Sequence, residues 1–361
     1  MKRKILSAAL TALLLTGCAA STANTGGSAN ETSETEGEVI SVTEAVSEIQ
    51  TDAVTTAETS AAETEFVNDT EFTIEKFGKG LMITGYTGKN TKINIPSEIG
   101  GKSVNGIGKG AFKSYIKITD VTIPDSINLI DDNAFEQCTA LENIDLPESL
   151  TRIGSSAFYN CKSLKEITLP GSINRINDFT FSGCESLGEI TVPEGVKDIG
   201  KSAFADCSSL TRANLPEGVK EISKSLFENC VMLTDISIPQ SVTAIGDTAF
   251  SGCASLAAVT LPEGIKMIGF GAFDDCTGLE KIIIPESVTE MSSNFWNCTE
   301  EINVVFPNSF EIQDIYKALY DIIIENAKGV GLEDYKNFTV TYRGQDYDIF
   351  AIAEMCKEAD V

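Results

Sequence analysis

The sequence predicts an α/β solenoid, a stack of similar coils sharing one continuous core, and three observations carry that prediction. Proline recurs every 23 residues, at Pro124, Pro147, Pro170, Pro193, Pro216, Pro239, Pro262 and Pro285. A cysteine follows 14 residues after each of the first seven. Within each unit the apolar residues alternate in one stretch and recur three to four apart in another, so a unit holds both an extended piece and a helix-like turn. A period of roughly 20 to 30 residues marks units that cannot bury their apolar face alone and must stack on their neighbours.

Read from its start, the chain places Lys2, Arg3 and Lys4 before an apolar run over residues 5–15, followed by Leu15-Thr16-Gly17-Cys18. That layout is a secretion signal, too short to span a bilayer as a mature helix. The last four residues resemble the lipobox of bacterial lipoproteins. The resemblance implies cleavage between Gly17 and Cys18, with residues 1–17 as the signal peptide and Cys18 as a lipidated N-terminus. Several acyl chains hold a protein at a membrane far better than one.

Residues 19–65 have no aromatic, Pro, Lys or Arg and carry ten carboxylates. They cannot bury enough apolar surface to offset their chain entropy. We therefore expect residues 18–66 to be a disordered acidic tether, with ends on the order of 40 Å apart. Next comes a segment that departs from the repeat: F-T-I-E-K-F at Phe72–Phe77, I-T-G-Y-T-G at 83–88 and I-P-S-E-I-G-G-K-S-V at 95–104. A stack needs its ends covered, so residues 67–123 are read as an N-terminal cap with a first irregular repeat.

The regular repeats occupy residues 124–306. In the unit 147–169, Leu164, Ile167 and Leu169 have the spacing of a strand with alternating core side chains. Ala157, Phe158, Cys161 and Leu164 have that of a short helical turn. Proline directly follows the strand, where its missing N–H ends the ladder without wasting a bond. Glycine at Gly154, Gly200, Gly246 and Gly269 marks a tight bend after a second extended piece. Asp131, Asn177 or Ser223 stands there in other coils, so the corner tolerates change.

The combination L-x-x-I-x-L-P, a following V-x-x-I-G and A-F-x-x-C resembles the BspA-like leucine-rich repeats of bacterial surface proteins, over roughly residues 72–306. The resemblance implies a right-handed leucine-rich repeat solenoid, curved, with a parallel β-sheet on its concave side. It also implies adhesion, in some members, to host proteins or other bacteria. The asparagine ladder of many eukaryotic leucine-rich repeats is absent, so their ligand rules do not carry over.

After the repeats, residues 307–361 read as a C-terminal capping subdomain. The unit beginning at Pro285 is one residue short and contains the single tryptophan, Trp296. An amphipathic helix follows, with Ile312, Ile315, Leu319, Ile322 and Ile323 on one side. Then come F-T-V-T-Y-R-G-Q-D-Y, a hairpin turning at Arg343-Gly344, and a last helix containing Cys356.

Composition excludes several functions. There is no histidine, which removes Ser-His-Asp and Cys-His catalysis and every His-based metal site. Beyond the signal and tether, 24 basic residues face 43 acidic ones, a net charge of −19, so nucleic acid is not an expected partner. Gly101-Lys102-Ser103 ends like a phosphate-binding loop, but the position five residues before Gly101 is Pro96 where that motif has glycine. We expect no enzyme activity, no cofactor and no metal.

Ten cysteines in an exported protein would ordinarily suggest disulfides. Here Cys138, Cys161, Cys184, Cys207, Cys230, Cys253, Cys276 and Cys298 take one place per coil. That makes a column with neighbours about 4.8 Å apart and side-chain vectors parallel, where a disulfide needs Cβ atoms near 3.8 Å. The expected state is reduced, buried and apolar.

What is left for function is surface. Successive strands expose Asp120 and Thr122, Asn143 and Asp145, Glu166 and Thr168, Glu189 and Thr191, Arg212 and Asn214, Asp235, and Lys281. This candidate binding face runs from acidic at the front to neutral or basic at the back, and its plain alternative is a solvated, Thr-rich sheet. A second stripe, Arg152, Arg175, Lys197, Lys220 and Lys266, is read onto the next extended piece. The expectation is an outward-facing monomer, lipid-anchored to the cell envelope through Cys18, that binds a protein or other macromolecule at the cell surface. The alternative is a spacer that projects a C-terminal binding module.

Overall fold

The computed structural model describes residues 71–298, 301–327, 335 and 337–359 of the chain. The signal, tether and Cys18 assignments lie outside the described residues.

The coils contribute short strands to two parallel ladders, one strand to each except in the coil of residues 166–168, which adds none to the first. The first ladder is the expected one: Asp120–Thr122 pairs with Asn143–Asp145, Arg212–Asn214 with Asp235–Ser237, and Lys281–Ile283 with Asn303–Val305, always in parallel register. The second ladder uses two-residue strands, such as Leu129–Ile130 on Arg152–Ile153 and Ala244–Ile245 on Met267–Ile268. In both, the residue before each core-facing side chain points outward, since side chains alternate along a strand. A coil reaches its neighbour through backbone bonds, so its amides are satisfied without a helix.

The A-F-x-x-C stretch, expected as a helical turn, is built as successive tight turns. Ala157, Tyr159 and Cys161 donate to carbonyls three residues back, at 3.3, 3.1 and 3.1 Å. Between them, Ser156, Phe158 and Asn160 donate to Asp178, Thr180 and Ser182 of the next coil, at 2.9, 2.9 and 2.8 Å. This alternation needs two residues per coil in the left-handed region, for example Ser156 (φ 55°) and Asn160 (φ 57°). Asn, Asp and Gly fill the second of these columns at Asp206, Asn229, Gly252 and Asp275, residue types that reach positive φ at low cost.

Beneath these turns lies the core. Nine phenylalanines, from Phe112 to Phe295, stack as one ladder, with ring centroids 5.0 to 6.0 Å apart and planes within 13° of parallel. Stacked strands repeat at about 4.8 Å, so most coils are wider apart at the rings than at the strands. Behind the rings the cysteines form the expected buried column of free thiols. Each Sγ–H donates to a phenylalanine carbonyl of the preceding coil, as from Cys161 to Phe135 at 3.2 Å and from Cys230 to Phe204 at 3.1 Å.

The glycine corner has a different cause from the expected bend. Gly200 does not have positive φ; instead a Cβ there would sit 2.4 Å from the Asp178 nitrogen of the coil before. In this close approach the Gly200 N–H reaches the Ile176 carbonyl at 2.8 Å, the bond that Asp131 makes to Ile107 at its own corner. Where the corner is Asn177 or Ser223, the side chain itself reaches the corresponding carbonyl, of Ile153 or Ile199, at 2.5 Å.

The two ends extend different ladders. At the front, Phe72–Phe77 and Gly80–Tyr86 form an antiparallel hairpin whose second strand joins the second ladder through Lys102–Ile107. At the back, Thr339–Tyr342 lies parallel on Asn303–Val305 and pairs with Gln345–Asp348, adding a hairpin to the first ladder. Arg343 and Gly344, at φ 51° and 77°, make its turn. The single expected helix is divided at Leu319 into α1 (Ile312–Ala318) and α2 (Tyr320–Ala327). Helix α3 (Ile349–Glu358) starts on Asp348, whose carboxylate accepts the Ala351 N–H at 2.7 Å.

Candidate functional site

The structure places the candidate strand-face residues in one line along the first ladder and exposes all of them except Asp120, which is half-buried. They divide into groups by their contacts. At the front, Asp120 accepts the Thr119 hydroxyl at 2.7 Å and the Asn143 amide at 3.1 Å, with the Lys92 ammonium 3.5 Å away. The Thr119 bond, aided by Asn143 and Lys92, holds Asp120 below the usual carboxylate range. In the middle, Arg212 bridges two coils, 2.9 Å from Asp235 and 3.7 Å from Glu189. Asn214 donates to the Thr191 hydroxyl at 3.2 Å.

Between these groups the ladder is interrupted. Strands are present at Asn143–Asp145 and Glu189–Thr191, but residues 166–168 form none, and no ladder bond joins them to either neighbour among the described residues. A shallow cleft of about 140 Å³ lies there, lined by Asn143, Asp145, Glu166 and Thr168. Asp145, Glu166 and Thr168 make no side-chain hydrogen bond or ion pair among the described residues, and neither does Lys281 further back. Sequence reading placed these side chains but not the interruption, because 165–169 keeps the same apolar spacing as its neighbours.

The second stripe does not form one column. Arg152 pairs with Leu129 and Arg175 with Asp198, so these two arginines share a column with Asp198 and Glu221. Lys197, Lys220 and Lys266 sit one residue earlier in their coils. Backbone bonds from Lys197 to the Asn174 carbonyl (3.3 Å) and from Thr243 to that of Lys220 (2.8 Å) define that separate column. Adding 23 to 175 gives 198, which the sequence alone could have shown.

No group of three or more Cys, Asp or Glu gathers as a metal site among the described residues. One carboxyl outside the candidate face is perturbed: burial beneath the last coil, with Asp275 and Asp321 nearby, raises Asp274 to about 7. It accepts the Trp296 N–H at 3.0 Å, a structural contact that joins coils.

A model of the BspA type leucine-rich repeat region matches residues 105–234 and 220–326, more than half of the chain. The chain belongs to the BspA-type leucine-rich repeat family. Among solved structures, a leucine-rich repeat protein of T. pallidum is 34% identical, with 53% of this chain and 90% of that chain covered and a TM-score of 0.50. A Bacteroides ovatus leucine-rich repeat protein shares 26% identity over 69% of this chain and 80% of its own, with a TM-score of 0.49. A leucine-rich cell surface protein of Faecalibacterium prausnitzii shares 24% over 79% and 97%, at 0.47. No curated protein matches the chain. Leucine-rich repeat proteins of this family are generally binding scaffolds for other proteins at the cell surface.

Proposed function

We propose that this chain is a lipid-anchored protein of the bacterial cell envelope, held outward through Cys18, that captures another protein with the exposed line of the first ladder. Adhesion to a host or bacterial surface is the process this would serve. The observation that carries the reading is the cleft at residues 166–168. There, unengaged Asp145, Glu166 and Thr168 stand beside backbone that its own sheet leaves unpaired, between the Asp120–Asn143 contact on one side and the contacts of Arg212 with Glu189 and Asp235 on the other. Such groups are available to a partner without breaking anything in the scaffold.

The test is capture of surface proteins by the full-length chain, wild type against Asp145→Lys/Glu166→Lys. We expect the double reversal to remove the captured partner and leave the melting temperature unchanged. Retained capture would take the first ladder out of the proposal. Glu189 and Asp235 are poorer choices, since both hold Arg212 and their reversal would set like charges against it.

The spacer reading has its own observation: Tyr320 and Phe350, on α2 and α3, are each 44% exposed. Deleting residues 308–361 cannot separate the readings, because it would also strip the first ladder of its terminal hairpin. Tyr320→Ala/Phe350→Ala keeps the hairpin, and loss of capture in that variant alone would favour presentation by the C-terminal part.

A further inference from the structure

The second ladder carries a feature that the net charge hides. A groove of about 370 Å³ crosses three coils there, and basic side chains outnumber acidic ones on its walls. Arg175, Lys197, Lys201, Lys220 and Lys224 line it, against Asp178, Asp198 and Glu221. This surplus sits on a body in which 43 acidic residues outnumber 24 basic ones.

Two of the cations are engaged by the scaffold: Lys201 lies 3.9 Å from Asp178 and Lys224 lies 3.4 Å from Asp247. Arg175, Lys197 and Lys220 have no carboxylate within ion-pair distance among the described residues, and all three are exposed. Lys197 and Lys220 take the same place in successive coils, so their stems repeat at the coil spacing of about 5 Å. Arg175 adds a third charge one coil earlier. The apolar part of the wall is Ile199, which is buried, so the groove presents no apolar side chain for a protein partner to anchor on.

We propose that this groove binds an anionic polysaccharide laid along the stack, its carboxylate or sulfate groups pairing with Arg175, Lys197 and Lys220. A sugar chain advances by a distance comparable to one coil per residue, and its hydroxyls suit the interleaved Asp198 and Glu221 as donors to carboxylates. The long, open form of the site fits a polymer rather than a small anion, because the charges are spread over three coils and do not converge on one point. This assignment uses the opposite ladder from the protein-capture face and stands whether or not that face binds.

The experiment titrates the full-length chain with dextran sulfate and with polygalacturonate, and with polyglutamate as the peptide comparison. Binding of at least one polysaccharide should be clear at about 50 mM salt and weaken steeply as salt rises. Lys197→Glu/Lys220→Glu should weaken it by about tenfold or more, with a smaller loss in Lys197→Gln/Lys220→Gln. Lys281→Glu, on the first ladder, should leave it unchanged. The gentler pair guards against misfolding of the charge reversal. Absence of binding to both polysaccharides, an equal loss in Lys281→Glu, or polyglutamate bound as tightly as the polysaccharides would each overturn the proposal, the last in favour of an acidic peptide.

Discussion

The side-chain carbonyl of Asn294 accepts the backbone N–H of Phe273 at 3.1 Å, in place of a peptide carbonyl. In regular coils the phenylalanine N–H bonds the backbone of the next coil, as Phe250 does to Ala272 at 2.9 Å. The coil after Pro285 is one residue short, and the Asn294 carboxamide fills the gap. Its nitrogen also donates to Gly269 at 2.9 Å and Ser292 at 2.8 Å. This keeps Phe295 on the aromatic ladder, 6.0 Å from Phe273.

Asn294→Ala should therefore destabilise the protein by about 2 kcal/mol, because it orphans the buried Phe273 donor and the buried Gly269 carbonyl. Asn294→Asp keeps an acceptor for Phe273 but donates to neither carbonyl, and should be no better. Urea unfolding midpoints of the variants check this, and a shift equivalent to less than about 0.5 kcal/mol for Asn294→Ala would refute the role.

Gly200→Ser should cost less than Gly200→Ala, although serine is larger. Either Cβ forces the close contact with Asp178 apart and stretches the bond from the Gly200 N–H to Ile176. Only serine can replace that bond, as Ser223 does with Ile199. About 2 kcal/mol for alanine against about 1 for serine is the expected scale; equal losses would show that the side-chain bond contributes nothing.

The thiol column should be silent until the protein unfolds. Burial raises Cys138 and Cys253 to about 12, and its deeper neighbours move the same way for the same reason. A thiol reagent at pH 8 should find nine more reactive cysteines after unfolding than before. Below pH 9 these thiols are neutral in both states. Between 9 and 12 the unfolded chain ionises and the folded one resists, so stability should fall steeply with rising pH in that window. A flat profile up to pH 11 would contradict it.

Asp274→Asn should stabilise the protein at pH 8. The wild-type carboxyl, raised to about 7 by burial, is neutral in both states below about pH 4, so it costs nothing there. Stability is lost as pH rises from 4 through 7, while asparagine keeps an acceptor for Trp296 and never ionises. We expect an advantage of about 2 kcal/mol at pH 8 that vanishes near pH 4. Thermal melts at the two pH values decide, and an advantage equal at both would remove ionisation as its cause.

Legibility in the sequence followed how directly each feature depends on repetition. Pro124 and its copies, the strand spacing and the cysteine column are set by identical neighbours above and below, and all were readable from period alone. The turn stretch was not, because Ala157, Phe158 and Cys161 have the same spacing in a helix as in turns bonded across coils. The clue was the Asn, Asp and Gly at 206, 229, 252 and 275, a positive-φ column with no place in a helix. The break at Glu166 is invisible for the opposite reason: residues 165–169 keep the apolar spacing of their neighbours, so nothing in the pattern marks it.

Every described coil is bonded to the coil above and the coil below, and the first and last described residues belong to opposite ends of the repeats. A pull applied through those ends would load the ladders one at a time, like a zip rather than a rope. Each coil released would free about 80 Å of chain from 23 residues. Held at an envelope as proposed, such a scaffold would yield to drag by lengthening in even steps while the rest of the stack stays folded.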